Sequence, residues 1–290
     1  MKTMSMTLWP ALALGCLACG CNEQLALSTL DVNGVTREYG IVVPANPPEG
    51  DHRQAGPMPL IVAVHGGGGR GSFPEMSLFE ELADQEGIVV VYPQSNQREG
   101  NEGEWQLNTQ PDSRHDLDFI EALVDRVSAD HAIDPKRIYA TGYSLGSMFV
   151  YELACHLGSR FAAVASHAGT MPVVTHDCPA ETPVALMHLH GVNDTIIPYA
   201  ESWDWKRWAS VGPMLAIPSL IDFWSDTYSC QEQRQPASSS SQHTVHEACD
   251  GDVRVEHHRL TGVGHEWPET VNGTSTHRLI WNFLSEFSKN

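Results

Sequence analysis

The fold is decided by residues 137–157, which read RIYATGYSLGSMFVYELACHL. Residues 137–141 predict a buried strand, and Leu145 to Leu157 predicts a helix. Between them, GYSLG at 142–146 matches the pattern G-x-S-x-G, which forms a sharp turn when a strand precedes it and a helix follows. The two glycines remove the Cβ atoms that would clash where strand and helix approach. We therefore expect Ser144 to be a nucleophile above a helix N-terminus, whose dipole favours developing negative charge.

Strand and helix patterns alternate on both sides of this segment. Asn33-Gly34 predicts a tight turn inside a hairpin at Leu27 to Pro44. Buried strands are predicted at 59–64 and 87–93, and further strands at 161–166, 184–189 and 254–260. Helices are predicted at 79–85, 116–130, 218–228 and 276–287, and a short polar loop at 238–241. This alternation predicts one α/β domain over residues 28–290, with a mainly parallel sheet, an N-terminal β-hairpin and helices on both faces.

A glycine run, HGGGG at residues 65–69, directly follows the strand predicted at 59–64. Acyl transfer creates an oxyanion, and glycines allow backbone N–H groups to approach it closely. We expect one N–H donor from Leu145 and a second from Gly66 or Gly67. A phosphate-binding loop is the alternative, but Arg70-Gly71 follows where that motif needs Lys and Ser or Thr. His65 is expected to be structural.

An acid and a base lie at predicted strand ends downstream of Ser144. The segment HLHGVND at 188–194 joins a strand and a glycine turn to Asp194, and a loop with two glycines carries His265. Serine hydrolases with this pattern place the acid and then the histidine after the serine. His265 is therefore expected to act as general base, with Asp194 holding its tautomer. The fallback bases are His190, His257 and His258, and the fallback acids are Asp222 and Asp226.

The charge balance excludes some partners. With 17 basic and 36 acidic residues, the formal net charge is −19. A field of that sign repels nucleic acid and anionic lipid headgroups. The composition, 41% hydrophobic and 18% charged, is that of a globular domain. The sequence predicts neither a metal nor a cofactor, and it predicts no oligomeric state.

Residues 1–20 predict an export signal. The apolar stretch from Leu8 to Ala18 is too short to span a membrane, and small residues precede Cys21 as in the lipobox of bacterial lipoproteins. Lipidation at Cys21, with residues 21–27 as a tether, is the first expectation. Cys19 is the rival site, and a plain cleaved signal peptide is the other alternative. All three predict a secreted, cell-surface or periplasmic protein, with membrane contact only through the N-terminal lipid.

The cysteine count fits an oxidising compartment. Of seven cysteines, Cys16, Cys19 and Cys21 fall in or beside the leader, which leaves four. An even number favours two disulfides, and of the three pairings we expect that of nearest neighbours, Cys155–Cys178 and Cys230–Cys249. A zinc site is disfavoured because no C-x-x-C pair occurs outside the leader.

Together, four motifs resemble those of secreted feruloyl esterases and polyhydroxybutyrate depolymerases, which are α/β-hydrolases. They are His65-Gly66, GYSLG at 142–146, HGVND at 190–194 and GHEWP at 264–268, and the resemblance covers residues 28–288. It implies a serine esterase that hydrolyses carboxylic esters through an acyl-serine intermediate. Feruloyl or acetyl esters of plant polysaccharide are the first choice of substrate and hydroxybutyrate oligomers the second. No pattern for the depolymerases' polymer-binding module is found, which favours accessible esters over an insoluble polyester.

Four tryptophans are candidates to stack on an aromatic acyl group or a sugar ring. They are Trp105, Trp203, Trp205 and Trp267, of which Trp267 follows His265 by two positions. Two other functions were weighed. A peptidase on the same fold is disfavoured because the large shielding domain of such enzymes is missing. A non-catalytic, glycan-binding surface lipoprotein is disfavoured because all three triad positions are filled in order.

Overall fold

A computed structural model of the chain describes residues 25–45, 56–67, 76–96, 105–109, 114–173, 178–204, 212–234 and 241–289. The export signal, with Cys19 and Cys21, lies outside these ranges, as does Trp205. The domain boundaries near residues 20 and 27 stay predictions. Within the described ranges, no helix combines the length and apolar composition that a membrane crossing requires.

Most described strands join one sheet, and five helices accompany them. The strands are β1 Leu27–Val32, β2 Val35–Val42, β3 Met58–Val64, β4 Val89–Pro93, β5 Ile133–Tyr143, β6 Ala163–His167, β7 Ala185–Gly191, β8 Trp203–Asp204, β9 Pro213–Met214, β10 Glu232–Arg234, β11 Ser241–Glu247, β12 Val255–Leu260, β13 Thr270–Val271 and β14 Thr274–Ser275. The helices are α1 Met76–Glu86, α2 His115–Asp130, α3 Leu145–His156, α4 Ile217–Thr227 and α5 Thr276–Leu284.

The ten-stranded sheet has the order β1-β2-β4-β3-β5-β6-β7-β12-β11-β10. The central strands, from β4 to β12 in that order, pair in parallel, and the outer strands pair antiparallel. The predicted α/β-hydrolase fold with a mainly parallel sheet is confirmed. The predicted N-terminal hairpin is present as β1 and β2, with Asn33 and Gly34 in the left-handed conformation that its turn requires.

The sheet's other edge differs from the prediction. Ser241, which was assigned to a loop, begins β11, and β11 pairs antiparallel with both β10 and β12. Sequence patterns missed both strands because β10 is three exposed residues and β11 is mostly polar. Edge strands of this kind lack the continuous apolar run that marks a strand buried on both faces.

Both faces of the sheet are covered by helices, and β3 shows how the sequence achieves this. Leu60, Val62 and Val64 pack into the larger core with α2, α3 and α4, whereas Ile61 and Ala63 pack into a second core with α1 and α5. All five are at most 1% exposed. Successive side chains of a strand point to opposite faces, so an unbroken apolar run fits a strand covered on both sides.

Two disulfides are formed with the predicted pairing, Cys155–Cys178 and Cys230–Cys249. The first joins the last turn of α3 to the segment before β7, and the second joins the residues after α4 to those after β11. Their sequence separations are 23 and 19 residues. Loops of this length stabilise the fold by about 3 kcal/mol each on the chain-entropy account.

Candidate active site

Ser144 lies at a sharp turn between β5 and α3, with φ 54° and ψ −121°. A positive φ is strained for a residue with a side chain, and such strain clusters at functional sites. The turn depends on its glycines. A Cβ on Gly142 would lie 2.4 Å from the carbonyl oxygen of Gly146, and one on Gly146 would lie 2.3 Å from those of Val64 and His65. The predicted turn is therefore present, and it presents Ser144 at the carboxyl end of the sheet.

The structure brings Ser144, His265 and Asp194 into one hydrogen-bonded line. His265 Nε2 lies 2.8 Å from Ser144 Oγ, and His265 Nδ1 lies 2.7 Å from Asp194 Oδ2. Because an ionised carboxylate only accepts, Nδ1 carries the proton and Nε2 is left to accept the serine proton. The Asp194 side chain is fully buried, whereas that of His265 is 16% exposed. The line therefore runs from the interior to a surface that substrate can reach.

Two loops at the carboxyl ends of neighbouring parallel strands place the acid and the base. Asp194 follows β7 and His265 follows β12, and the two loops are hydrogen-bonded through Asn193 N–H and the Val263 carbonyl at 2.9 Å. A Cβ on Gly191 would lie 2.4 Å from the carbonyl oxygens of the facing loop. Glycine at 191 thus allows the close approach that joins the two residues.

The second carboxylate oxygen of Asp194 is also occupied. Its Oδ1 accepts the backbone N–H groups of Ile196 and Ile197, each at 2.8 Å. Burial by itself raises the pKa of Asp194, but hydrogen bonds from His190, His265 and the Ile197 N–H outweigh it and hold the pKa below its usual range. The carboxylate therefore stays ionised at neutral pH and keeps a fixed orientation.

The fallback base His190 lies behind Asp194. Its Nε2–H donates to the Ile197 carbonyl at 2.9 Å and lies 3.4 Å from Asp194 Oδ2. Its other ring nitrogen, Nδ1, lies 3.1 Å from His188 Nε2. His188 in turn accepts from the Tyr151 hydroxyl at 2.7 Å. Burial, followed by neighbouring histidines, lowers the pKa of His188 well below its ordinary value, so the His188 imidazole stays neutral.

The remaining fallback residues lie elsewhere. Burial is the largest cause that lowers the pKa of His257 to about 3, and its ring stacks on Tyr199. His258 bonds to Glu256 in β12. Asp222 and Asp226 are exposed on α4.

The predicted oxyanion donors lie beside Ser144. Leu145 is the first residue of α3, and the first N–H groups of a helix have no partner within it. A Cβ on Gly66 would lie 3.3 Å from Ser144 Cβ, and one on Gly67 would lie 3.5 Å from Leu145 Cδ2. Both glycines are therefore close enough to remain candidates for the second donor.

His65 fixes this glycine loop, as expected. Its Nε2 accepts the Ser95 N–H at 3.2 Å, so its Nδ1–H donates to the Gly66 carbonyl at 2.7 Å. Burial lowers the pKa of His65 against the opposing effects of the Gly66 bond and Asp116. The neutral imidazole therefore holds Gly66 in place and takes no visible part in the Ser144 line.

The family model described as "Esterase PHB depolymerase" matches residues 46–196, a range that contains Gly66, Ser144 and Asp194. The chain belongs to this family. Two relatives are named as esterases. The bifunctional acetylxylan esterase/xylanase of Neocallimastix patriciarum is 26% identical over 88% of this chain and 34% of its own length. Feruloyl esterase B of Piromyces equi is 23% identical over 79% of this chain and 42% of its own length.

The chain thus spans roughly a third to two fifths of the length of these two relatives. Among solved structures, the acetyl xylan esterase from Aspergillus awamori aligns with a TM-score of 0.64 at 16% identity, covering 90% of this chain and 99% of that one. At that identity the likeness supports the fold of an α/β-hydrolase esterase and nothing finer.

The prediction that Trp105 contacts the substrate is wrong. Trp105 is only 2% exposed, donates its Nε1–H to the His65 carbonyl at 2.9 Å and stacks on Phe149 at 4.9 Å. It packs the base of the glycine loop, so its ring faces are not available to a substrate. The sequence placed it in a long polar loop and gave no sign that the core would enclose it.

The other two candidates among the described residues, Trp267 and Trp203, are half-buried. Trp267 packs against the rings of His167 at 4.8 Å and Tyr143 at 6.0 Å. Trp203 lies in β8, which pairs with β9, and packs against the larger core. Each keeps part of its surface exposed.

Tyr143 is a site residue that the sequence reasoning missed. Its hydroxyl donates to the His265 backbone carbonyl at 3.0 Å, and its ring lies 5.4 Å from the imidazole. Burial is the largest cause that raises its pKa to about 12, so the hydroxyl stays a donor. The only sequence signal was its place beside Ser144 in the turn, where the motif accepts any residue.

Proposed function

We propose that this chain is an extracytoplasmic serine esterase, acting on feruloyl or acetyl esters of plant polysaccharide. The observation that carries the proposal is the line from Asp194 Oδ2 through His265 to Ser144 Oγ, with distances of 2.7 and 2.8 Å. These are the distances at which a base can take a proton from a hydroxyl nucleophile.

The proposed reaction has two halves. His265 Nε2 takes the Ser144 proton while Oγ attacks the ester carbonyl carbon, and the oxyanion is bound by N–H groups of Leu145 and of Gly66 or Gly67. The C–O bond to the alcohol then breaks, and His265 returns the proton to the departing oxygen. A water molecule, deprotonated by the same nitrogen, then attacks the acyl carbon, the bond from that carbon to Ser144 Oγ breaks, His265 returns the proton to Oγ, and the acid leaves. Asp194 stays ionised and stabilises the imidazolium.

The proposed substrate class is supported by the names of two relatives and by two partly exposed tryptophan rings. Two relatives that span most of this chain are named for acetylxylan and feruloyl esters. Trp267 and Trp203 keep exposed surface, and Trp267 follows His265 by two positions. An aromatic ring there would offer a face to a feruloyl group or a sugar. Trp205 remains a candidate outside the described residues.

Hydroxybutyrate oligomers are a second candidate substrate, because the family that the chain belongs to is described by that depolymerase activity. The same site would attack their ester bonds without change. The non-catalytic, glycan-binding alternative gives no reason for a strained Ser144 held 2.8 Å from an oriented imidazole.

Both disulfides support a location outside the cytoplasm, since structural disulfides persist in oxidising compartments. Anchoring through a lipid on Cys21 is part of the proposal and lies outside the described residues.

The test compares the wild-type chain with Ser144→Ala on p-nitrophenyl acetate. We expect wild-type turnover and a loss of roughly 10⁴-fold or more in the variant, because the nucleophile is gone. Equal, slow hydrolysis by both would overturn the enzyme proposal. Release of ferulate from feruloylated arabinoxylan, of acetate from acetylated xylan and of acid from hydroxybutyrate oligomers then ranks the substrates. Activity on the oligomers alone would replace the polysaccharide assignment.

A further inference from the structure

A second cluster of chemistry-bearing side chains lies at the far edge of the sheet, on β11 and β12. His243 in β11 stands directly opposite His258 in β12, and Glu256 precedes His258 by two positions. Opposed residues and residues two apart share one face of an antiparallel pair. His243, Glu256 and His258 therefore lie together, and we refer to them as the edge cluster.

The three side chains converge on one point. The Nε2 atoms of His243 and His258 lie 2.8 and 2.9 Å from the same oxygen, Oε1 of Glu256. One donor atom from each residue falls within 4.8 Å of the other two. The imidazole rings stack 4.0 Å apart at 17°, so both nitrogens face the same side.

Hydrogen bonding alone leaves this arrangement incomplete. Nε2 of His243 is shielded from solvent, and its contact with Glu256 Oε1 at 2.8 Å is an ion-pair contact that falls outside hydrogen-bond geometry. The side chains of Glu256 and His258 are only 7% and 3% exposed, and that of His243 is 20% exposed. A metal ion bound among the three donor atoms would replace this poorly directed contact with a bond to each of them.

The donor set suits a transition metal. Two imidazoles and one carboxylate are ligands of zinc, which binds each at about 2.0–2.2 Å in tetrahedral geometry. Such bonds place neighbouring donor atoms about 3.3 Å apart, so each nitrogen would move roughly half an ångström away from Glu256 Oε1 to admit the ion. A water molecule would fill the fourth position.

The surroundings of Glu256 leave Oε1 available. Arg254 Nε donates to the other oxygen, Oε2, at 3.0 Å, and Arg254 Nη1 donates to Glu286 at 2.7 Å. A hydrogen bond to the outer oxygen of a ligating carboxylate is a recurring support of metal sites. Two carboxylates against one guanidinium also leave one negative charge for the cation.

From this geometry we propose that His243, Glu256 and His258 bind a divalent transition-metal ion of the zinc type, which fastens β11 to β12. The sequence predicts no metal here, because a histidine pair that faces across two strands becomes visible only when the strand register is known. The strand so fastened, β12, ends at Leu260 and leads into the loop that carries His265.

The test uses the purified full chain, dialysed against a chelator and titrated with Zn²⁺. Calorimetry reports affinity and stoichiometry, and thermal unfolding reports stability with and without Zn²⁺. The wild type is expected to bind one tight equivalent and to gain several degrees in Tm, because binding to the folded state alone stabilises it. Replacing a direct ligand is expected to weaken binding by more than about 100-fold, beyond what supporting residues cost.

Two variants and one control make the result specific. His243→Gln removes the most exposed ligand, and Glu256→Gln keeps the shape of the carboxylate. His246→Gln is the matched control, since His246 lies on the opposite face of the same strand. The chain has 15 histidines, so the difference between variants decides the question. If the two ligand variants lose the one tightly bound Zn²⁺ ion and the control keeps it, the proposed site is supported. Equal Zn²⁺ affinity and equal Tm shifts in all four proteins would overturn it.

Discussion

Gly146→Ala tests whether the turn geometry itself supports catalysis. The added Cβ would lie 2.3 Å from the backbone carbonyl oxygens of Val64 and His65. Real Cβ atoms essentially never come closer than 3.0 Å, so about 0.7 Å of movement is needed. Val64 lies in the centre of the sheet and cannot yield. The N-terminal turn of α3 must move instead, and it carries Ser144 and the Leu145 N–H.

A misplacement near 1 Å at a reacting group costs on the order of 100-fold in rate. We therefore expect kcat/KM for p-nitrophenyl acetate to fall by about 100-fold, or about 2.7 kcal/mol in the barrier. Overpacking is expected to reduce the free energy of unfolding by about 1–3 kcal/mol, measured by urea denaturation. Gly56→Ala is the control, because its Cβ would meet nothing within 4 Å. A folded Gly146→Ala variant with activity within threefold of wild type would refute the reasoning.

Three further predictions follow from the same geometry. Asp194→Asn should lower kcat by about 10⁴-fold while the unfolding midpoint is kept, because the amide favours the wrong His265 tautomer; a loss below tenfold would contradict the assigned role. Burial, the largest cause, lowers the pKa of both His167 and His257 to about 3. Below pH 6.5 the unfolded chain therefore binds more protons than the folded chain, and the free energy of unfolding decreases as the pH is lowered. The two together should cost about 4 kcal/mol between pH 8 and pH 5 in urea unfolding, and a flat profile would contradict this. Tyr143→Phe removes one hydrogen bond to the His265 carbonyl and should reduce kcat/KM about fivefold; an unchanged rate would show that the ring alone supports the loop.

The sequence was sufficient for the triad because each member lies where local patterns are strong. Ser144, Asp194 and His265 each follow a predicted strand, and each has glycines close by that favour a tight turn. Parallel strands end at one edge of a sheet, so three distant segments could be expected to meet there. The same logic placed Gly66 and Gly67 beside the nucleophile.

The features that sequence patterns missed depend on neighbours that are remote in the chain. Trp105 was expected to face a substrate, but it is enclosed because Phe149 and His65 happen to converge on it. The polar strand β11 belongs to a sheet edge, where the buried-strand pattern does not apply. The chain of contacts from Tyr151 through His188 and His190 to Asp194 links separate elements and has no spacing rule.

The most direct measurement of the central claim is covalent labelling by a fluorophosphonate, followed by mass mapping of the labelled peptide. The probe reacts only with a serine whose proton a neighbouring base accepts. We predict one label per chain, on Ser144, and labelling slowed by at least 100-fold in His265→Gln with its fold intact. A label on another residue, or labelling of Ser144 at the same rate in His265→Gln, would contradict the account.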